Sequence, residues 1–207
     1  MGHRIITVSR EFGSGGREVG KRLAERMGIA YYDREIITAV AQRSGLAEEY
    51  IASISERGVS AYYPITFGHT FAHTSAMLDP HMEVMAEQNK LLKELARKGD
   101  CVIVGRCADV VLRAEEPFNL FIYADQESKL RRCRARQSES EKKLTDAELK
   151  RRMAKVDKER ARYRALLTDR RWGDVQGYHL CVNTSGWDMH ALIDVLAPLT
   201  EAYFAKK

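Results

Sequence analysis

No two of the four cysteines, Cys101, Cys107, Cys133 and Cys181, stand in a C-x-x-C pair. With Cys101 and Cys181 set in apolar runs, they read as reduced core residues of a cytoplasmic protein. No apolar run approaches the length of a membrane span, and Met1-Gly2-His3-Arg4 leads into the first apolar stretch without a signal or transit pattern, so no membrane partner is expected. His69 and His73 stand four apart, but neither has a glutamate beside it. They read as polar-loop histidines, and no set of protein metal ligands is expected.

What is present is an ordinary globular composition, 44% hydrophobic and 30% charged over 207 residues, enough for one well-filled domain. The net charge of +5 is unevenly placed. Residues 129–171 hold 17 Lys/Arg against 7 Asp/Glu, so all of the positive excess lies there. Such a block suits nucleic acid, a polyphosphate ligand or a solvated helix face, and composition does not choose among them.

Strand and helix patterns alternate along the chain. Apolar runs at Arg4–Ser9, within Gly28–Asp33 after a C-cap glycine, and at Cys101–Val104, Asn119–Tyr123 and Tyr178–Asn183 predict five strands. Helices are expected from Arg17, over Arg34–Ser44, Glu48–Arg57, His81–Lys98, Glu127–Ser138, Asp146–Thr168 and Met189–Phe204. The stretch Gly58–Pro80, with Tyr62, Tyr63, Phe67 and Phe71, reads as an irregular insert. The fold class is α/β: a three-layer α/β/α arrangement around a mostly parallel five-stranded sheet.

The first strand runs into Glu11-Phe12-Gly13-Ser14-Gly15-Gly16 and then a helix. Glycines there let the backbone turn its N–H groups inward, and the helix adds its positive end, a setting that suits phosphate. The strict phosphate loop, G-x-x-x-x-G-K-[ST], is missing. With its second glycine on Gly16 it would want glycine at Glu11, lysine at Arg17 and a hydroxyl at Glu18. Three later strands also end in polar residues, Gly105-Arg106, Asp125 and Asn183-Thr184-Ser185. In a parallel sheet that edge is where ligands bind. Arg106 can grip a phosphate there with two N–H groups, or brace the edge by pairing with Asp109.

The segments Ile5–Gly20, Tyr31–Ile37, Val102–Asp109 and Val156–Tyr163 together resemble the signatures of the bacterial cytidylate kinase-like proteins, which are similar to the nucleoside monophosphate kinases. The resemblance implies a P-loop kinase fold with a helical insert and a helical lid. It divides a single domain (1–207) into a core (1–44, 81–126, 172–207), a monophosphate-binding insert (about 45–80) and a lid (about 127–171). It implies transfer of the γ-phosphoryl group of ATP, with Mg²⁺, to a nucleoside monophosphate, CMP or dCMP first. Gly13, Ser14, Gly15, Gly16, Arg17 and Glu18 would then cradle the donor, with Arg17 in the lysine position. Arg17, Arg106, Arg131 and Arg160 would neutralise the transferring group. Asp33, Arg34, Arg106, Asp109, Asp157 and Arg162 would bind the acceptor, Asp109 through a ribose hydroxyl or by orienting an arginine.

The chain also departs from that pattern. Where cytidylate kinases carry D-S-G-x-x-Y-R, it has Asp33-Arg34-Glu35-Ile36-Ile37-Thr38-Ala39, and only the aspartate is shared. Glu18 and Val19 stand where loop hydroxyls would ligate Mg²⁺, leaving Glu11, Glu18 or Asp33 to hold it through water. Glu11 is then either a metal-site residue or turned toward Arg10 or Arg34. A nucleotide-binding protein without catalysis is the alternative, and a nucleic-acid-binding module a weaker one, because the basic block lacks interleaved aromatics before Tyr163.

Overall fold

The computed structural model describes residues 2–33, 35–45, 75–136 and 144–206. Five parallel strands form one sheet in the order β2-β3-β1-β4-β5: β1 (Ile5–Arg10), β2 (Ala30–Tyr32), β3 (Cys101–Val104), β4 (Phe118–Tyr123) and β5 (Leu180–Asn183). Among the described residues the sheet is accompanied by helices α1 (Gly16–Met27), α2 (Glu35–Ser44), α3 (Ser75–Lys98), α4 (Ala108–Val111), α5 (Gln126–Ala135), α6 (Asp146–Ala165) and α7 (Met189–Ala205). The predicted helix Glu48–Arg57, Arg34, the insert aromatics, His69 and His73 lie outside the described residues.

The period-two alternation of the strands explains the three layers. Ile5, Cys101 and Ile103 face one side and pack on Ile36 and Val40 of α2, Leu91, Leu92 and Leu95 of α3, and Leu112. Ile6, Val8, Val102, Val104, Leu120 and Ile122 face the other, against Val19, Leu23 and Met27 of α1 and Leu192, Ile193 and Leu196 of α7. Apolar residues on both faces give the unbroken apolar runs visible in the sequence.

Several boundaries differ from expectation for local reasons. β1 extends to Arg10, whose Cα pairs with Ile122 on β4. β5 starts two residues late, because Val175–Gly177 form a 3-10 turn and the Tyr178 ring packs at a tilt against Phe121, centroids 5.0 Å apart. α6 is shorter than predicted and ends at Ala165. Its start is as expected, fixed by a capping box in which Thr145 and Glu148 satisfy each other's backbone N–H groups. α3 begins at Ser75 and runs through Pro80, within the stretch predicted to be irregular. The chain places β2 and β3 on one side of β1 and β4 on the other, so the strand order reverses at β1. Ligands of open parallel sheets bind above such a point.

Candidate functional site

α1 starts at Gly16 with Gly15 as a left-handed N-cap that has no side chain to offer. The first-turn N–H groups of Gly16, Arg17 and Glu18 therefore lack helical acceptors at the positive end of the helix. Gly13 and Gly15 hold φ of 76° and 85°. Both also answer to packing from outside the turn. A Cβ on Gly13 would lie 3.0 Å from Cys133 Sγ of α5, and one on Gly15 would lie 2.6 Å from Met189 Cε of α7. Ser14 is buried, and its hydroxyl donates to the Glu11 carbonyl at 2.8 Å. Thr184 Oγ1 and Arg132 Nη1 donate to the Ser14 carbonyl at 2.6 and 3.4 Å, bolting the turn to β5 and α5.

Two carboxylates that would repel a phosphate are directed elsewhere. Glu11 pairs with Lys129 Nζ at 3.0 Å rather than with Arg10, because the first turn of α5 packs directly over Gly13. Glu18 pairs with Arg22 at 2.9 Å and with Arg136. Its N–H, not its carboxylate, belongs to the open turn.

Arginines from two strand ends and two helices converge above β1 and β3. A cleft there is lined by Ser9, Arg10, Arg106, Arg160, Tyr163 and Trp172, together with Gly105 and Cys107. Gly105, Arg106 and Cys107 are three successive left-handed residues, with φ of 79°, 58° and 48°. Two of them bear side chains, a strain of about 1–3 kcal/mol each that clusters at functional sites. Arg106 is buried at the cleft. Burial pushes the Cys107 thiol up to about 12, so it is protonated and not a nucleophile. Arg17 leans toward β2, its Nε 2.7 Å from the buried Asp33. Arg10 has lost most of its hydration and is crowded by Arg160, Arg106 and Arg17, which pulls it down to about 9.

α6 is docked on the turn. Asp157 accepts the Phe12 N–H at 2.8 Å and Arg160 Nη1 at 3.1 Å, while Arg160 donates to the Arg10 carbonyl at 3.0 Å. Burial raises the Asp157 carboxyl, and Arg160 and the Phe12 N–H oppose that rise. Farther along, Arg164 and Asp109 form a buried ion pair at 2.5 Å, and the Arg164 guanidinium lies 5.3 Å over the Tyr178 ring.

The structure thus brings together Gly13–Glu18, Asp33, Arg106, Asp157 and Arg160. Asp109 is engaged by Arg164, with both side chains 3% exposed. Arg131 is exposed, with Nη2 on Ser128 Oγ at 3.3 Å. Lys129 and Arg132 of the same helix turn inward instead, Arg132 Nη2 reaching the Thr184 carbonyl at 2.6 Å. Arg162 is likewise exposed, while its neighbours Tyr163 and Arg164 are buried. Sequence reasoning missed Arg10, Lys129, Tyr163, Arg164 and Trp172. For Arg10 a signal existed: it ends a strand at the same sheet edge that singled out Arg106.

The cytidylate kinase-like family matches residues 5–186. The chain belongs to this family. No curated protein matches the chain in sequence. Among solved structures, an uncharacterised protein from Eubacterium ventriosum ATCC 27560 is 24% identical, with a TM-score of 0.69 over 96% of this chain and 98% of that one. Shikimate kinase from Bacteroides thetaiotaomicron is 16% identical, with a TM-score of 0.57 over 96% and 98%. A gluconokinase from Sinorhizobium meliloti 1021 is 18% identical, with a TM-score of 0.52 over 99% and 97%. This cytidylate kinase-like chain therefore has the P-loop kinase fold, and its family and fold together support a phosphotransferase.

ATP and Mg²⁺ use is implied by the family in general terms. The open N–H turn at the head of α1 and the cluster of guanidiniums above it fit a polyphosphate. For Mg²⁺, no group of three or more His, Cys, Asp or Glu side chains forms a cage among the described residues. Asp33, paired with Arg17, is a carboxylate neighbouring Arg10, so the residues fit an ion carried mainly by nucleotide phosphates and water. Among the described residues, no helix is long and apolar enough to cross a membrane.

Proposed function

We propose that this chain transfers the γ-phosphoryl group of ATP to a nucleoside monophosphate, with CMP or dCMP the first choice. The convergence of Arg10, Arg17, Arg106 and Arg160 beside an N–H turn, with few carboxylates left to oppose them, is the observation that carries this reading. Phosphoryl transfer needs positioning and charge neutralisation more than covalent help. That is what these side chains supply.

The first-turn N–H groups of α1 bind the donor phosphates. Arg106, held by its left-handed turn, and Arg160, delivered by α6, neutralise the equatorial oxygens of the transferring group. Asp33 would help hold Mg²⁺ through water, and the ion would supply further neutralisation when bound. On the acceptor side, Asp33 and Arg17 stand as an ion pair that a monophosphate with its cation reorganises. Residues 127–171 act as the lid, with Asp157 and Arg160 as its clasp on the glycine turn, and closing it excludes water.

ADP release from ATP and Mg²⁺ tests this against a panel of ribo- and deoxyribonucleoside monophosphates. Shikimate and gluconate serve as separate arms, because the fold is shared with kinases named for those acceptors. Stimulation by a monophosphate supports the proposal. Stimulation by a hydroxylated acid alone reassigns the acceptor, and ATP binding without turnover on any acceptor selects the non-catalytic reading.

A further inference from the structure

A Cβ at either of two glycines on different elements would meet the same arginine. A Cβ on Gly16, at the head of α1, would lie 2.4 Å from Arg10 Cβ, and a Cβ on Gly105, after β3, would lie 2.1 Å from Arg10 Nη1. Arg10 therefore leaves the end of β1, passes across the first residue of α1, and sets its guanidinium against the β3 turn. Its tip reaches the cleft that Arg106 and Arg160 also line.

The phosphate-loop pattern can be laid with its second glycine on Gly16 or on Gly15. α1 begins at Gly16 and Gly15 is its left-handed cap, which favours the second frame. In that frame the lysine position is Gly16 and the first glycine position is Arg10. The position that usually carries the cation carries no side chain. The position that usually carries none carries an arginine whose stem fills the vacated space.

Arg17, which stands in the lysine position of the other frame, is committed to Asp33 at 2.7 Å. Arg160 is held by Asp157. Arg10 makes no ion pair among the described residues, and its charged neighbours are Asp33 and three other arginines. A cation desolvated among cations calls for an anion.

We infer that Arg10, delivered from β1 instead of α1, is the cation that holds the terminal phosphates of the bound nucleoside triphosphate, with Gly16 kept bare to let it through. The inference rests on the kinase reading above. It also assigns Arg17 to the acceptor side.

A cation swap tests it by calorimetric binding of ATP with Mg²⁺ and by thermal unfolding without nucleotide. Arg10→Gly should weaken ATP binding about tenfold or more, as expected for loss of a charge-assisted contact, without lowering Tm. Gly16→Lys alone should lower Tm, because its Cβ meets Arg10 Cβ. The double variant Arg10→Gly/Gly16→Lys should recover Tm and regain much of the affinity. Arg10→Met, which keeps most of the stem, guards against loss of folding in Arg10→Gly and should show the same affinity loss. Arg10→Gly or Arg10→Met binding ATP within about twofold of wild type would overturn the inference, as would a folded double variant no better than Arg10→Gly. A wild-type chain that binds no ATP would sink the kinase reading itself, and so marks a different failure.

Discussion

At the residue scale, the arginines differ less in charge than in what opposes it. Arg17 and Arg160 each have a carboxylate, whereas Arg10 is surrounded mainly by like charge. This gives opposite pH trends. Arg10 titrates at about 9 in the folded chain and at its higher ordinary value when unfolded, so above pH 9 the unfolded state binds the extra proton. The stability of the nucleotide-free chain should therefore rise with pH through that window, relative to Arg10→Met. ATP affinity should fall through the same window. Unfolding and binding measured for both proteins across alkaline pH check the pair, and parallel profiles in wild type and variant would count against it.

How far these residues were legible depended on where they sit. Arg106 was readable because a strand, a glycine and an arginine in sequence fix its place. Arg10 is less legible, because its contact with Gly105 joins residues far apart in sequence. The choice between Arg131 and Lys129 or Arg132 is one of helix phase, and a basic run has no apolar stripe to reveal phase.

At the scale of elements, α6 joins the two ends of the site. Asp157 and Arg160 hold the glycine turn, and the buried Asp109–Arg164 pair pins the C-terminal end of the same helix to the core. Removing one partner of a buried pair strands the other charge, at about 3–5 kcal/mol. Asp109→Ala should lower Tm by about 10 °C, whereas the apolar pair Asp109→Leu/Arg164→Met should lower it much less. Thermal unfolding of both variants checks this, and equal losses would show that packing rather than charge is at stake. The start of α6 was legible because its capping box is local, Thr145 to Glu148. Its end was not, because the chain beyond Ala165 is shaped by Arg164 reaching to Asp109 and to the Arg170 carbonyl.

At the scale of the whole molecule, strand number, parallel sheet and layer order arise from apolar runs buried on both faces, and they were legible for that reason. Family membership rested on several segments in order, which no single motif could supply. The uneven charge of residues 129–171 has its structural counterpart in Lys129, Arg132, Arg136, Arg160 and Arg164, which reach the glycine turn, α1 or the core. The most direct measurement is formation of CDP or dCDP from ATP, Mg²⁺ and the matching monophosphate, separated by anion exchange, for wild type beside Arg106→Ala. Product should depend on acceptor concentration and fall about 10²-fold or more in the variant. Absence of any nucleoside diphosphate from the acceptor, across all monophosphates and with intact ATP binding, would contradict the kinase reading.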